Sequence, residues 1–267
     1  MNCVEIMGGL GNQLFQYVFA RYLQKKSLLN TVVTTDYYKR IGQNGNTDTS
    51  REFLLDKYNT TYINVEGTVP YKYFCNDALY SESILGIDNI FFQGYWQDIK
   101  FYNEVKDEIR KEIILKQEYI DASMEEIGAR MQACNSVAVH VRRTDYLNQI
   151  NSSIFEQLTL DYYRQAVSTI KLQTKEEPLL FIFSDDSRFV SENMSNFERC
   201  QTVIMQLREP YKDLYLMTKA RHNIIANSTF GWWGAALNTY SQNITVAPSK
   251  WLKKEERNMY LDDWIIL

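Results

Sequence analysis

The sequence predicts an α/β fold with parallel, doubly wound sheets, and three observations carry that expectation. Apolar runs and amphipathic stretches alternate from residue 136 to residue 247, the pattern of a parallel sheet with crossover helices. The chain opens with a short apolar run, a glycine cluster and a helical stripe, which reads as strand, turn and helix. The third observation is His140-Val141-Arg142-Arg143-Thr144-Asp145, where two arginines and a carboxylate directly follow an apolar run. Ligands of open α/β sheets bind outside the carboxyl ends of the strands, so this stretch is also the first candidate site.

Residues 2–6 read as a strand, with Gly8, Gly9 and Gly11 as its turn. A helix follows from Asn12, its expected N-cap, with Leu14, Phe15, Val18, Phe19, Tyr22 and Leu23 on one stripe. A second strand over 31–35 ends at Asp36. From 36 to 94 the periodicity is weak, and irregular structure with short helices is expected. Helical spacing returns over 101–116 (Phe101, Val105, Ile109, Ile113) and over 120–131 (Ile120, Met124, Ile127, Met131). The domain boundary is placed there, giving domains of residues 1–119 and 120–267. In the second, strands are expected at 136–141, 179–184, 201–205, 223–226 and 244–247. Helices are expected at 160–170, 209–220 and 230–237, with Pro210 in the first turn of the second.

Composition narrows the function classes. The 267 residues are 45% hydrophobic and 23% charged, enough for a sizeable core. A net charge of −4 does not favour nucleic acid or an anionic membrane as partner. Cys3, Cys75, Cys134 and Cys200 are far apart without C-x-x-C spacing, so free thiols in a reducing compartment are expected rather than zinc or disulfides. The sequence shows neither a basic-then-apolar leader nor a run of ~18 apolar residues, which points to a cytoplasmic protein without an integral membrane anchor.

Paired guanidiniums suit a diphosphate, because their donor forks match phosphate oxygens at two points. Neighbouring residues of an extended chain point to opposite sides. One of Arg142 and Arg143 is therefore expected to meet phosphates and the other to pair with a carboxylate, for which Asp145 is the candidate. His140 reads first as a satisfied core residue and second as a nucleotide contact. Asp185-Asp186 follow strand 179–184, and two readings stand open for Asp185: a cap on the next short helix, and a nucleotide contact. The chain contains no Asp-x-Asp triplet, and anion stabilisation by arginine and N–H groups is expected in place of a metal.

Ser228, Thr229 and Phe230 follow strand 223–226, where a strand-to-helix turn presents N–H groups and hydroxyls to an anion. Gly231 and Gly234 permit close approach, and Trp232 and Trp233 read as packing. Asp213, early in the preceding helix, reads either as an acid favoured by the helix dipole or as a reader of guanine N1 and N2. The run Gly8-Gly9-Leu10-Gly11-Asn12-Gln13 is no P-loop, because no Lys-Ser/Thr follows. Its Gly9-x-Gly11, with Asp36 ending the second strand, is half a dinucleotide fingerprint, but Leu14 stands where the third glycine belongs. The amides of Asn12 and Gln13 are expected to face a ligand. Two rival readings follow, a nicotinamide-dependent oxidoreductase and a carbohydrate-binding module. Leu14 argues against the first and the arginine pair against the second.

Four ordered motifs together resemble the family 11 glycosyltransferases, the α-1,2-fucosyltransferases, in their bacterial form. They are 8–17 from Gly8 to Tyr17, His140 through Asp145 to Tyr146, Phe183-Ser184-Asp185-Asp186, and Asn227 through Gly234. The second is similar to a motif of α-1,6- and protein O-fucosyltransferases. The resemblance implies a GT-B-like arrangement of two Rossmann-like domains facing across a cleft, the first on the acceptor side and the second binding GDP-fucose. It implies inverting transfer of L-fucose from GDP-β-L-fucose to the 2-hydroxyl of a terminal galactose on an oligosaccharide, with no metal and no cofactor. Residue by residue, it puts Arg142 on the β-phosphate with Arg143 beside it. It puts Asp213 on guanine, reversing the reading as a dipole-favoured acid, and wraps Ser228, Thr229 and Phe230 around the diphosphate. Gly9 and Asn12 face fucose and acceptor. Gly11, His140 and Asp185 complete the expected donor site, and Arg142, Asp145 and Asn12 form the candidate catalytic set, with Asp145 as general base or as anchor of Arg143.

Overall fold

The computed structural model describes residues 1–27, 29–40, 51–67, 70–144, 153–206, 209–255 and 257–267. Asp145 and Tyr146 of the arginine motif lie outside the described residues. The chain forms two compact units, Met1–Lys116 and Gln117–Leu267.

The first unit contains β1 (Asn2–Glu5), α1 (Leu10–Ser27), β2 (Thr31–Thr34), α2 (Asp36–Arg40), β3 (Tyr73–Cys75), β4 (Ile90–Phe92) and α3 (Ile99–Glu112). Its sheet is parallel with strand order β2-β1-β4-β3. One face is closed by an aromatic cluster: Phe19 of α1 stacks on Trp96 at 3.8 Å and meets Phe92 and Phe101 edge-on. Such ring pairs add to the burial of apolar area. In register with β1, the opposite face carries Cys3, Glu5, Thr34 and Phe91.

Two expectations for this unit are corrected. The segment expected to be irregular supplies two of the four strands, β3 and β4. Each is only three residues long, and Tyr73 and Phe74 are both exposed on the edge strand, so no period-2 signal could form. The first helix starts at Leu10, which puts Gly11 and Asn12 in its first turn rather than in the loop before it. The turn itself falls on Gly8, whose φ of 76° is the left-handed conformation glycine adopts without strain.

The second unit contains α4 (Ala122–Ala133), β5 (Ser136–Val141), α5 (Leu160–Thr174), β6 (Leu179–Ser184), α6 (Ser187–Asn193), β7 (Thr202–Ile204), α7 (Pro210–Met217), β8 (His222–Ile224), α8 (Thr229–Ala236), β9 (Thr245–Ala247) and β10 (Ile265–Ile266). All paired strands are parallel, in the order β10-β9-β8-β5-β6-β7. Counted within the unit from β7 to β10, this is the doubly wound order 3-2-1-4-5-6. The winding reverses between β5 and β8, so a crevice is expected at their carboxyl ends.

The inner strands β5, β8 and β9 are fully buried runs because helices cover both faces. Val137, Val139 and Val141 of β5 pack with Tyr163, Val167 and Ile170 of α5 and Val190 of α6. The alternate residues, including His140, face α8. Trp232 and Trp233 are fully buried, and the Trp232 indole donates to the Met259 carbonyl, so both are core residues as expected. Among the described residues no helix is long and apolar enough to cross a membrane.

Candidate active site

Three strand ends of the second unit bring the expected donor-binding residues to one edge. β5 runs into Arg142 and Arg143, β6 into Asp185 and Asp186, and β8 leads through Asn227 to Ser228 and α8. Asp185 organises this edge. Its carboxylate accepts the backbone N–H groups of Arg143 (2.9 Å) and Thr144 (3.2 Å) and the Thr144 hydroxyl. It also pairs with the Arg142 guanidinium, Nη1 to Oδ2, at 3.1 Å. Of the two readings for Asp185, capping belongs instead to Asp186, whose Oδ1 accepts from Phe189 N–H at the start of α6 (2.9 Å). Asp185 holds the loop after β5. A carboxylate with four donors already around it is committed to that loop.

The two arginines diverge as strand geometry requires. Arg143 lies on the α6 side, where its guanidinium stacks 3.6 Å from the Phe189 ring centroid and Nε reaches Asp186 at 3.4 Å. The partner expected for it was Asp145; among the described residues Asp186 takes that part. Arg142 follows the alternation of His140 toward the α8 side. Both arginines are therefore tethered by a carboxylate, and Arg142 is the one on the side of the strand-to-helix turn.

That turn is built by close packing. The His140 ring lies 5.6 Å from Phe230, and a Cβ on Gly231 would meet His140 Nδ1 at 2.7 Å. Gly234 likewise lets Met217 of α7 approach α8, where a Cβ would meet Met217 Cε at 2.6 Å. Ser228 is the N-cap of α8 but its side chain makes no capping hydrogen bond. The first N–H groups of a helix have no intrahelical acceptor, and together with the helix dipole they favour an anion.

His140 is 4% exposed, and its Nδ1 has no hydrogen-bond partner among the described residues. Burial, and then the charge of Arg142, hold its pKa down to about 4 against the opposing pull of Asp185. The imidazole is thus neutral near pH 7 and acts as a packing platform under α8. Asp213, in the first turn of α7, is partly buried, and its Oδ1 is covered without a hydrogen-bond partner among the described residues. Burial and the neighbouring Glu209 push its carboxyl up to about 7. Two N–H donors on that carboxylate would relieve both effects.

In the first unit, Gly9 and Asn12 flank the β1–α1 turn. Asn12 Oδ1 accepts from Gln97 Nε2 at 3.1 Å. Gln13 does not face a ligand: it is fully buried, donating to the carbonyls of Gly8 and Glu52 and accepting from Leu54 N–H. Sequence reasoning missed Arg51, whose side chain lies 4.0 Å from the Cβ position of Gly9; the weak periodicity around it offered no signal. It also missed Phe189, which is legible only once Arg143 is seen to stack on it. Asp36 stands at the start of α2, where its Oδ2 accepts from Gly67 N–H at 2.8 Å. Among the described residues no group of three His, Cys, Asp or Glu side chains is arranged to hold a metal ion.

Fold and site define a doubly wound α/β protein with cationic and N–H donors at its strand-order reversal, the place where such sheets bind nucleotides. The family profile described as Glycosyl transferase family 11 matches residues 66–267, and the chain belongs to that family. It is 29% identical to the O-antigen biosynthesis glycosyltransferase WbnK of Escherichia coli, over 98% of this chain and 99% of that one. It is equally 29% identical to an alpha-1,2-colitosyltransferase of Escherichia coli, over 96% and 94%. Human galactoside alpha-(1,2)-fucosyltransferase 1 aligns at 29% identity over 62% of this chain and 49% of its own length. Among solved structures, the fold is similar to the NodZ alpha-1,6-fucosyltransferase soaked with GDP-fucose, with a TM-score of 0.55 at 13% identity over 88% and 91% of the chains. It is also similar to a point mutant of Arabidopsis thaliana FUT1 in complex with GDP, with a TM-score of 0.52 at 10% identity over 92% and 70%. These likenesses show the GT-B-like α/β class.

Proposed function

We propose that this family 11 enzyme transfers L-fucose from GDP-β-L-fucose to the 2-hydroxyl of a terminal galactose on an oligosaccharide, with inversion and without a metal. The observation that carries the reading is the strand order of the second unit, with Arg142 and the N-terminus of α8 at its reversal. The α-1,2 activities in the names of two relatives support the linkage. The acceptor O2 attacks the anomeric carbon as the bond to the β-phosphate oxygen breaks on the opposite face. Negative charge grows on that phosphate and is met by the Arg142 fork and the first N–H groups of α8, at Thr229 and Phe230, while the Ser228 N–H donates to the Ala226 carbonyl at 2.8 Å. One such donor contributes on the order of 3 kcal/mol to the transition state. Asp213 accepts guanine N1 and N2, Arg143 and Asp185 hold the loop, and Gly9, Gly11 and Asn12 line the side facing fucose and acceptor. Asp145 stands as base for the O2 proton or as a further anchor of Arg143.

Calorimetry with GDP, followed by transfer from GDP-fucose to galactose-terminated acceptors in excess EDTA, tests this. Micromolar GDP binding and EDTA-insensitive transfer with α-1,2 linkage are expected. Loss of turnover in EDTA that Mg²⁺ restores would remove the metal-free mechanism. A second reading, transfer of colitose in place of fucose, draws on the colitosyltransferase relative of equal identity. Competition between the two activated sugars for one preparation decides between them.

A further inference from the structure

In the first unit, the loop after β4 is clamped to the β1–α1 turn by two amides on one face of α1. Asn12 and Gln16 are four residues apart, so they stand one above the other on the helix. Gln16 is fully buried, and both ends of its amide meet backbone: Oε1 accepts from Met7 N–H at 2.9 Å and Nε2 donates to the Gly94 carbonyl at 3.0 Å. Asn12, one turn nearer the helix start, is half-buried, and its Oδ1 accepts from Nε2 of the half-buried Gln97 at 3.1 Å. The same loop is also held by the turn after β3. The Asp77 carboxylate accepts the N–H groups of Tyr95 at 2.8 Å and Trp96 at 2.7 Å, and a Cβ on Gly94 would collide with it. Trp96 is buried against Phe19 in the left-handed conformation, with φ of 54°, which a bulky residue keeps only where its surroundings enforce it. Gln97 therefore issues from a fixed backbone.

A planar amide offers an acceptor at one end and two donors at the other. With Oδ1 of Asn12 bonded to Gln97, its NH2 group is turned to the opposite side. There Nδ2 lies 3.0 Å from the place a Cβ on Gly8 would take, over the glycine that makes the turn. The Gly8 carbonyl is fixed in turn, accepting from the Tyr38 hydroxyl at 2.9 Å and from Gln13 Nε2 at 3.1 Å. We propose that Gln97 is a positioning residue that fixes the Asn12 amide so that Nδ2, and not Oδ1, is presented at the β1–α1 turn. A ligand group meeting Asn12 there must supply an acceptor oxygen, as a sugar hydroxyl does. The consequence for transfer rests on the reading of Asn12 as facing fucose and acceptor; the orientation of the amide does not.

Two measurements on the full chain test it. Gln97→Glu keeps the side-chain shape but cannot donate, so the Asn12 amide must turn over and bond the new carboxylate through Nδ2. The Asn12 side-chain NH2 resonances, assigned by their loss in Asn12→Ala, should then move downfield in NMR spectra; resonances unmoved from wild type overturn the proposal. The second measurement is a double-mutant cycle on transfer. Gln97→Glu and Gln97→Ala should each lower kcat/KM about five- to tenfold, the worth of one hydrogen bond, with GDP affinity and Tm close to wild type. In an Asn12→Ala background neither change should cost anything further, because Gln97 acts through Asn12. Equal losses in both backgrounds overturn the proposal, since Gln97 would then act by another route. A wild-type protein that binds no GDP and transfers nothing ends the transferase reading instead, and the resonances, which need no turnover, then decide the Gln97 assignment alone.

Discussion

Gly231→Ala should damage both stability and nucleotide binding, although alanine is the better helix former. The substitution gains roughly 0.5–1 kcal/mol of helix propensity inside α8. Its Cβ, however, would sit 2.7 Å from His140 Nδ1 and 3.1 Å from Cγ, on a ring buried in the central strand. Carbon contacts need roughly 3.5 Å, so α8 must move outward by roughly 0.8 Å or the ring must leave its rotamer. Such overpacking costs about 1–3 kcal/mol, and a net loss of about 1–2 kcal/mol is expected from chemical denaturation. The displaced N–H groups are those assigned to the diphosphate, and a misplacement near 1 Å costs up to about 10²-fold in rate. A fall in kcat/KM of about tenfold or more is therefore predicted. Combining Gly231→Ala with His140→Ala makes room for the new methyl, so the pair should be more stable than the sum of the single changes by about 1 kcal/mol or more. Unchanged stability and GDP affinity in Gly231→Ala, or strict additivity in the cycle, would refute the argument that His140 positions α8.

Three further outcomes are expected. Arg142→Ala should lower kcat/KM by ~10² or more, with Lys restoring little because a point charge lacks the two-point fork; steady-state kinetics that match wild type would remove Arg142 from the reaction. Asp213 must be ionised to accept two N–H bonds, and its carboxyl is pushed up to about 7 in the free protein, so GDP affinity measured by calorimetry should weaken as pH falls below about 7. In Asp213→Asn the affinity should be weak at every pH and that slope should vanish. The same raised pKa means the folded protein holds more protons than the unfolded chain between about pH 4 and 7, so this group's contribution to stability falls as pH rises through that window. Asp185→Ala should loosen the loop after β5 by freeing the N–H groups of Arg143 and Thr144, visible as faster amide exchange there and a roughly tenfold loss of turnover that no divalent cation rescues.

Much of this architecture was legible in the sequence, and the omissions have physical causes. β5 and β6 announce themselves because runs of six and four consecutive residues are buried between two helical layers. β3 and β4 do not, since three residues each, with Tyr73 and Phe74 exposed, carry no alternation. The arginine motif placed Arg142 and Arg143 just past the carboxyl end of β5, where they stand, because charge following an apolar run is a local signal. The partners were not local. Asp186, which meets Arg143, lies 43 positions along the chain. Gln13 looks like a ligand-facing amide until the backbone of Glu52 and Leu54, about 40 positions away, takes up its hydrogen bonds. The unpartnered oxygen of Asp213 is likewise a product of packing; the residues alone left Asp213 as either a dipole-favoured acid or a guanine reader, and only the resemblance chose between them.

A crystal soaked with GDP tests the central claim most directly. The account predicts the pyrophosphate at the carboxyl ends of β5 and β8, with the Arg142 guanidinium and the first N–H groups of α8 within 3.2 Å or so of its oxygens and guanine on the Asp213 carboxylate. A nucleotide bound at the β1–α1 turn instead, or one with Arg142 still committed to Asp185 and turned from the phosphates, would contradict it.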